Sequence, residues 1–144
     1  MQNFLPTGNR LSDAGIPLQQ IVNNFMTGIY NCAKENHSAV VNEISKNVML
    51  GYQNGKVISI INELVETVVR NSKNGEIYIT ADRYSDVIIF QIEERNNYNG
   101  YALSYSINSI EPDAAKVGGH ISIRGPQQKV TTISFSFPNN MQAA

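Results

Sequence analysis

The sequence predicts a two-layer α+β sandwich built on a mixed β-sheet. Three observations carry that reading. Helical stretches and paired strand stretches follow one another as helix, one or two strands, helix, strand pair, irregular segment, short helix, strand pair. This order lacks the regular crossover helices of a doubly wound parallel sheet. The second helix is apolar over a wide face, as a helix pressed on a sheet must be. The last two strands alternate strictly between apolar and polar residues, which buries one sheet face and leaves the other wet.

Each element has a local cause. Residues 1–16 contain Pro6, Gly8 and Gly15 and few large apolar side chains, and read as a flexible arm before a domain at 17–138 and a tail at 139–144. Pro17 suits a helix's first turn. After it Leu18, Ile21, Val22, Phe25, Met26, Ile29 and Cys32 recur at spacings of three and four, an amphipathic helix. Gly28 inside that helix suggests that a neighbouring element presses close. The β-branched stretch "SAVVNEIS" reads as a strand and "NVMLGY" as a shorter one. The second helix runs from Lys56 to about Asn71, and its many β-branched residues require tertiary packing. "NGEIYITAD" and "SDVIIFQIEE" form a strand pair. "RNNYNGYALSYSINS" is polar, aromatic and irregular. "EPDAAKVGG" reads as a short helix with Pro112 in its first turn and Gly118-Gly119 closing it. "HISIRG" and "KVTTISFSFP" make the last hairpin, stopped by Pro138.

Composition narrows the function. The 144 residues favour one domain, and a net charge of −1 offers no basic field for nucleic acid. No apolar run is long enough to enter a membrane, and the N-terminus does not read as a signal peptide, so a soluble cytoplasmic domain is expected. The one cysteine, Cys32, falls on an apolar helix face and reads as a structural thiol. His37 and His120 have no Cys or carboxylate at metal-ligand spacing, which argues against zinc.

The residues that invite chemistry lie on the second helix. Glu63 and Thr67 are four apart and share a face; Asn62 and Glu66 form a parallel pair one step round. A carboxylate and a short oxygen ligand at that spacing can hold a water and a hard cation such as Mg²⁺, although many solvated helix faces carry the same pair. Tyr98, Tyr101 and Tyr105 cluster in the irregular segment, either as a loop packed by its own aromatics or as a protein-binding surface. Arg70 and Lys73 read as solvent-facing.

The stretch "ELVETVVRNSKNGEIYITADRYSDVIIFQIEE" resembles the N-box region of the GHKL, or Bergerat, ATPases, which include the ATP-binding domains of histidine kinases. "AAKVGGHISIRGPQQKVTTISFSFP" resembles the end of the same domain, and the likeness extends over about Pro17 to Pro138. The resemblance implies a mixed sheet with three helices on one face, a bacterial signalling role, and ATP with Mg²⁺ as cofactors. It sets Glu63 at the position that orients the nucleophile and Thr67 where the family has a Mg²⁺-binding Asn. It sets Glu94 at the adenine-reading Asp, with Gly100 and Thr131 as further nucleotide contacts. Asn62 and Glu66 fit the same boxes in a frame shifted by one.

This sequence departs from the family pattern at three places. Thr67 replaces Asn, no glycine follows Glu94 before Gly100, and only Tyr101 to Pro112 remains for a lid that is long and glycine-bearing in the family. The expectation is therefore a domain with a degenerate nucleotide site and no bound cofactor, acting on a protein partner of a signalling pathway through Tyr98, Tyr101 and Tyr105. The alternatives are a working Mg-ATP kinase or ATPase, and a homodimeric scaffold module of a larger sensor.

Overall fold

The computed structural model describes residues 15–51, 54–96, 100–126 and 129–139. In chain order the elements are β1 (Ile16–Pro17), α1 (Leu18–Glu35), β2 (Ala39–Asn42), β3 (Met49–Leu50), α2 (Gly55–Arg70), β4 (Glu76–Tyr84), β5 (Val87–Arg95), α3 (Gly100–Asn108), α4 (Glu111–Lys116), β6 (His120–Arg124) and β7 (Thr131–Pro138). Five strands form one mixed sheet in the order β2-β4-β5-β7-β6, in which only the β2–β4 pair is parallel. β1 and β3 make a separate antiparallel ribbon. Of the expected arm and tail, all but Gly15, Ile16 and Asn139 lies outside the described residues.

The period of two in the strands builds the core. Ile79, Ile92 and Ile133 stand in one cross-strand row, and Ala81, Phe90, Phe135 and Ile121 in the next, all buried. The alternate residues, such as Thr80, Gln91, Ser134 and Ser122, form the opposite, partly exposed face. α1 buries Leu18, Val22, Met26, Ile29 and Ala33. α2 buries Val57, Ile60, Ile61, Leu64, Val65, Thr67, Val68 and Val69, the wide apolar face that the sequence shows. Gly118 has φ +76°, and the Gly119 and Gly118 N–H groups donate to Ala114 O and Ala115 O, closing α4 in a Schellman turn. A Cβ at Gly119 would come within 2.7 Å of Phe135 and Ser136, so the second glycine lets this turn lie on β7.

Several expectations change. The segment 95–109 is not irregular throughout: Gly100–Asn108 is helical, so the described residues contain four helices rather than three. Leu103 and Ile107, four apart, are both fully buried, and packing against α2 outweighs the polar composition. β2 is half the length of "SAVVNEIS" because Asn42 turns the chain: its Oδ1 accepts from the Ile44 N–H at 3.1 Å, and its Nδ2 donates to Asn23 Oδ1. Among the described residues nothing lies within 4 Å of where a Cβ on Gly28 would sit. Cys32, expected as a buried structural thiol, is only half-buried and packs against the edge of the core.

Asn139 ties the end of β7 to the β1–β3 ribbon. Its side chain is buried, its Oδ1 accepts from the Gly51 N–H at 3.2 Å, and its Nδ2 donates to Met49 O at 2.9 Å. Replacement by Leu strands both backbone groups and is expected to cost about 1–3 kcal/mol in chemical denaturation. Gly28→Ala should instead stabilise the chain by about 1 kcal/mol, read as a raised Tm, because the helix gains propensity and nothing is crowded.

Candidate functional site

The residues singled out from sequence fall into two separate places along α2. The first is a groove of about 250 Å³ between α2 and α4, lined by Lys56, Ser59, Ile60 and Glu63 on one side and Asp113, Lys116 and Val117 on the other. Glu63 is exposed, and its carboxylate has no hydrogen bond or ion pair among the described residues. Asp113 and Lys116 pair with one another across 3.7 Å.

Thr67, one turn beyond Glu63, faces inward and is only 3% exposed. Its hydroxyl donates to Glu63 O at 2.7 Å, the common i−4 bond of a helical Thr. The Arg70 guanidinium donates to the Thr67 Oγ1 at 3.5 Å. Of the shifted frame, Asn62 is half-buried and Glu66 exposed; Glu66 lines a different, smaller groove with Gly28, Cys32 and Arg70.

The second place lies beyond the C-terminal end of α2. Ser72 follows Glu63 by nine residues, which is roughly 13 Å at the helical rise. Here the β5–β7 register sets Glu94 opposite Thr131. Both are buried, Glu94 to 1% exposure and Thr131 completely. Ser72 hydrogen-bonds the Glu94 carboxyl, and the Ser72 and Ser38 hydroxyls meet at 3.1 Å. The Gly75 N–H donates to Ser38 Oγ at 3.2 Å, and a Cβ on Gly75 would collide with Ser72. Glu94 Oε1 is buried and has no hydrogen-bond partner among the described residues. Burial holds the Glu94 carboxyl above its ordinary value, against the smaller opposite pull of Ser72.

The Thr131 hydroxyl donates to Gly125 O at 3.2 Å, and the backbone of the next residue, Pro126, lies against Gly100. A Cβ on Gly100 would overlap Pro126. Glu94, Thr131 and Gly100 thus share one end of the sheet, while Glu63 and Thr67 lie further back along α2. Tyr101 and Tyr105 stand one turn apart on α3, 69% and 83% exposed; Tyr98 lies outside the described residues. His37 is exposed, and His120 Nδ1 lies 3.3 Å from Glu111 Oε1. No cluster of three metal-ligating side chains occurs among the described residues. No described helix is long and apolar enough to cross a membrane. Ser38, Ser72 and the lysines of the groove were not singled out from sequence. Ser38 and Ser72 are 34 residues apart, and only the parallel β2–β4 pairing brings them together.

No protein-family model matches the chain, and no curated protein matches it in sequence. Solved structures do match. Full-length ShkA in complex with AMPPNP superimposes with a TM-score of 0.73 at 14% identity, over 91% of this chain and 32% of that one. The nucleotide-free catalytic domain of the histidine kinase ThkA gives 0.65 at 14% identity, over 86% and 93%. The histidine kinase AdeS of Acinetobacter baumannii gives 0.66 at 11% identity, over 87% and 66%. The chain therefore spans about a third of ShkA, just under two thirds of AdeS and nearly all of the ThkA domain.

Glu94 has a measurable consequence. Its folded pKa is raised above the ordinary 4.5, so the native state keeps a proton that the unfolded chain gives up. Its contribution to stability is whole below the unfolded value and is lost as pH rises through the raised value. Denaturation midpoints measured across that window should fall with rising pH, and Glu94→Gln, which cannot ionise, should flatten the decline.

Proposed function

We propose that this chain, whose fold is that of the catalytic, ATP-binding domains of histidine kinases, acts in signal transduction by binding a protein partner and does not turn over ATP. The observation that carries the reading is α3. Where the ATPases that the sequence resembles keep a long glycine-bearing lid, this chain folds Gly100–Asn108 into a helix that buries Leu103 and Ile107 against α2.

The residues at the nucleotide positions do not fit ATP with its magnesium ion. The Thr67 hydroxyl is buried and accepts from a guanidinium beside it, an unfavourable setting for a divalent cation. The Glu94 carboxyl is sealed beneath Ser72 and Gly75 rather than turned to a cleft. Gly100, which would let a base pass close, is already occupied by the Pro126 backbone. What α3 offers instead is its outer surface. Tyr101 and Tyr105 give two amphipathic rings on one helix face, a residue type enriched where proteins meet. A cytoplasmic site of action belongs to the same proposal.

One observation favours a second reading, a Mg-ATP-dependent kinase acting on another protein: the sheet register sets side by side Glu94 and Thr131, two residues to which the resemblance gives nucleotide-binding roles. Titration calorimetry with Mg-ATP separates the two. The expected result is no heat of binding and no thermal shift. A Kd below about 100 μM, equivalent to roughly 5.5 kcal/mol, would overturn the partner-binding reading in favour of the kinase.

A further inference from the structure

The five-stranded sheet has two edges, β2 and β6, and among the described residues only β6 is protected. The Ile121 N–H turns away from β7 and donates to Glu111 Oε2 at 3.2 Å, while Glu111 Oε1 faces His120 Nδ1 at 3.3 Å. α4 packs beside this strand, and the exposed His120 and Arg124 lie along it. Covering and charge are devices by which an edge strand avoids pairing with another chain. β2 has neither. Ser38 to Asn42 include no charged residue and no proline, and the register against β4 runs without a bulge.

The parallel register fixes which backbone groups β2 turns outward. The Ala39 N–H donates to Gly75 O at 3.0 Å and the Glu43 N–H to Ile79 O at 2.8 Å, so residues 39, 41 and 43 direct their amides to β4. Val40 and Asn42 therefore direct theirs outward, and neither backbone N–H has a partner among the described residues. The side chains alternate accordingly. Ala39, Val41 and Glu43 are exposed on the sheet face away from the helices, Val41 to 42%. Val41 stands in register with Tyr78, whose ring carries the Arg95 guanidinium 4.1 Å from its centroid. Glu43 makes no ion pair among the described residues. A strand bonded to Val40 and Asn42 would set one of its side chains beside Val41 and another, two residues away on the same face, beside Glu43.

We propose that β2 accepts an extended segment of a partner protein as an added antiparallel strand, with a basic residue opposite Glu43 and a β-branched apolar residue opposite Val41. Antiparallel pairing gives the more stable ladder, and it places the Val41 pair between the bonded positions, where side chains come closest. Main-chain bonds supply affinity and the two side chains selectivity. The surface is separate from Tyr101 and Tyr105 and from the positions with nucleotide roles, so it stands whichever of those readings holds. The probe is a cyclic β-hairpin peptide whose free strand reads Lys-Thr-Val-Thr-Thr, preorganised so that little ordering is lost on binding. It is titrated into the full chain and followed by amide NMR and hydrogen exchange. The Val40 and Asn42 amides should gain at least about tenfold protection in the complex. A hairpin with glutamate for the lysine should bind at least about threefold more weakly, and Glu43→Lys should reverse that preference. Val40→Pro should abolish binding with the ladder to β4 intact, because the lost N–H points outward. N-methylation of the hairpin's bonding amides should do the same and leaves the protein itself unaltered. The proposal is overturned if the β2 amides do not respond up to millimolar peptide, if the hairpin docks at β6 instead, or if charge reversal and N-methylation leave binding unchanged. Protection of Val40 that rises with chain concentration alone also overturns it, since a second copy would then be the occupant.

Discussion

Everything else in this domain hangs on the seating of α2 against the sheet. The helix is rich in valine and isoleucine, which are poor helix formers because the branched side chain loses freedom at χ1. Each costs at most about 0.7 kcal/mol of propensity against Ala, whereas burying such a side chain fully contributes about 1.5–3 kcal/mol. Seven apolar residues of α2 are buried, so packing wins by a wide margin, and the helix exists because the sheet lies beneath it. The β4–β5–β7 rows supply that surface through Ile79, Ile92 and Ile133 and through Ala81, Phe90 and Phe135. Unseat α2 and the groove loses a wall, Thr67 loses its helix, and Ser72 no longer meets Ser38.

The same seating distributes the polar groups. Residues that alternate with the core-facing row are partly wet and pair with one another, as Gln91 Nε2 does with Ser134 Oγ at 3.0 Å. Glu94 falls instead on the buried row, in register with Thr131, and the chain accommodates a carboxyl there only by holding it toward its protonated form and giving it Ser72. A buried acid with one oxygen unpartnered among the described residues is a cost that an apolar residue would avoid. The resemblance implies an adenine-reading acid at this position, and the fold encloses it beneath Ser72 and Gly75.

Sequence periodicity reported most of the architecture, for a physical reason: the core demands spacing, and spacing is written in the chain. The helical repeat of α1, the wide face of α2 and the alternation of β6 and β7 are direct statements of which side is buried. α3 was illegible because Leu103 and Ile107 are only two apolar anchors in a run of Tyr, Ser and Asn, and their burial depends on α2, some 40 residues earlier in the chain. Gly28 misled for the opposite reason: a glycine marks a permissive backbone, and whether anything approaches it is a tertiary fact. The site divided likewise. Glu94 and Thr131 follow from strand register, but the burial of Glu94 under Ser38 and Ser72 needs the parallel β2–β4 pair, which no local pattern announces.

The division also says where interaction belongs in this fold. A binding cleft needs backbone that stops short of the core, and glycines or a displaced lid are how a chain provides it. Here the positions that would stand back are filled. Gly100 meets Pro126, the segment after β5 goes down onto α2, and the Thr67 hydroxyl turns along its own helix. Apolar side chains that enter the core carry their outward neighbours to the surface, because a helix that buries positions 103 and 107 must present 101 and 105 on another side. The packing that closes the interior is thus what displays Tyr101 and Tyr105. The proposed partner-binding role rests on this same packing: the helix that buries Leu103 and Ile107 is the one that displays the two tyrosines.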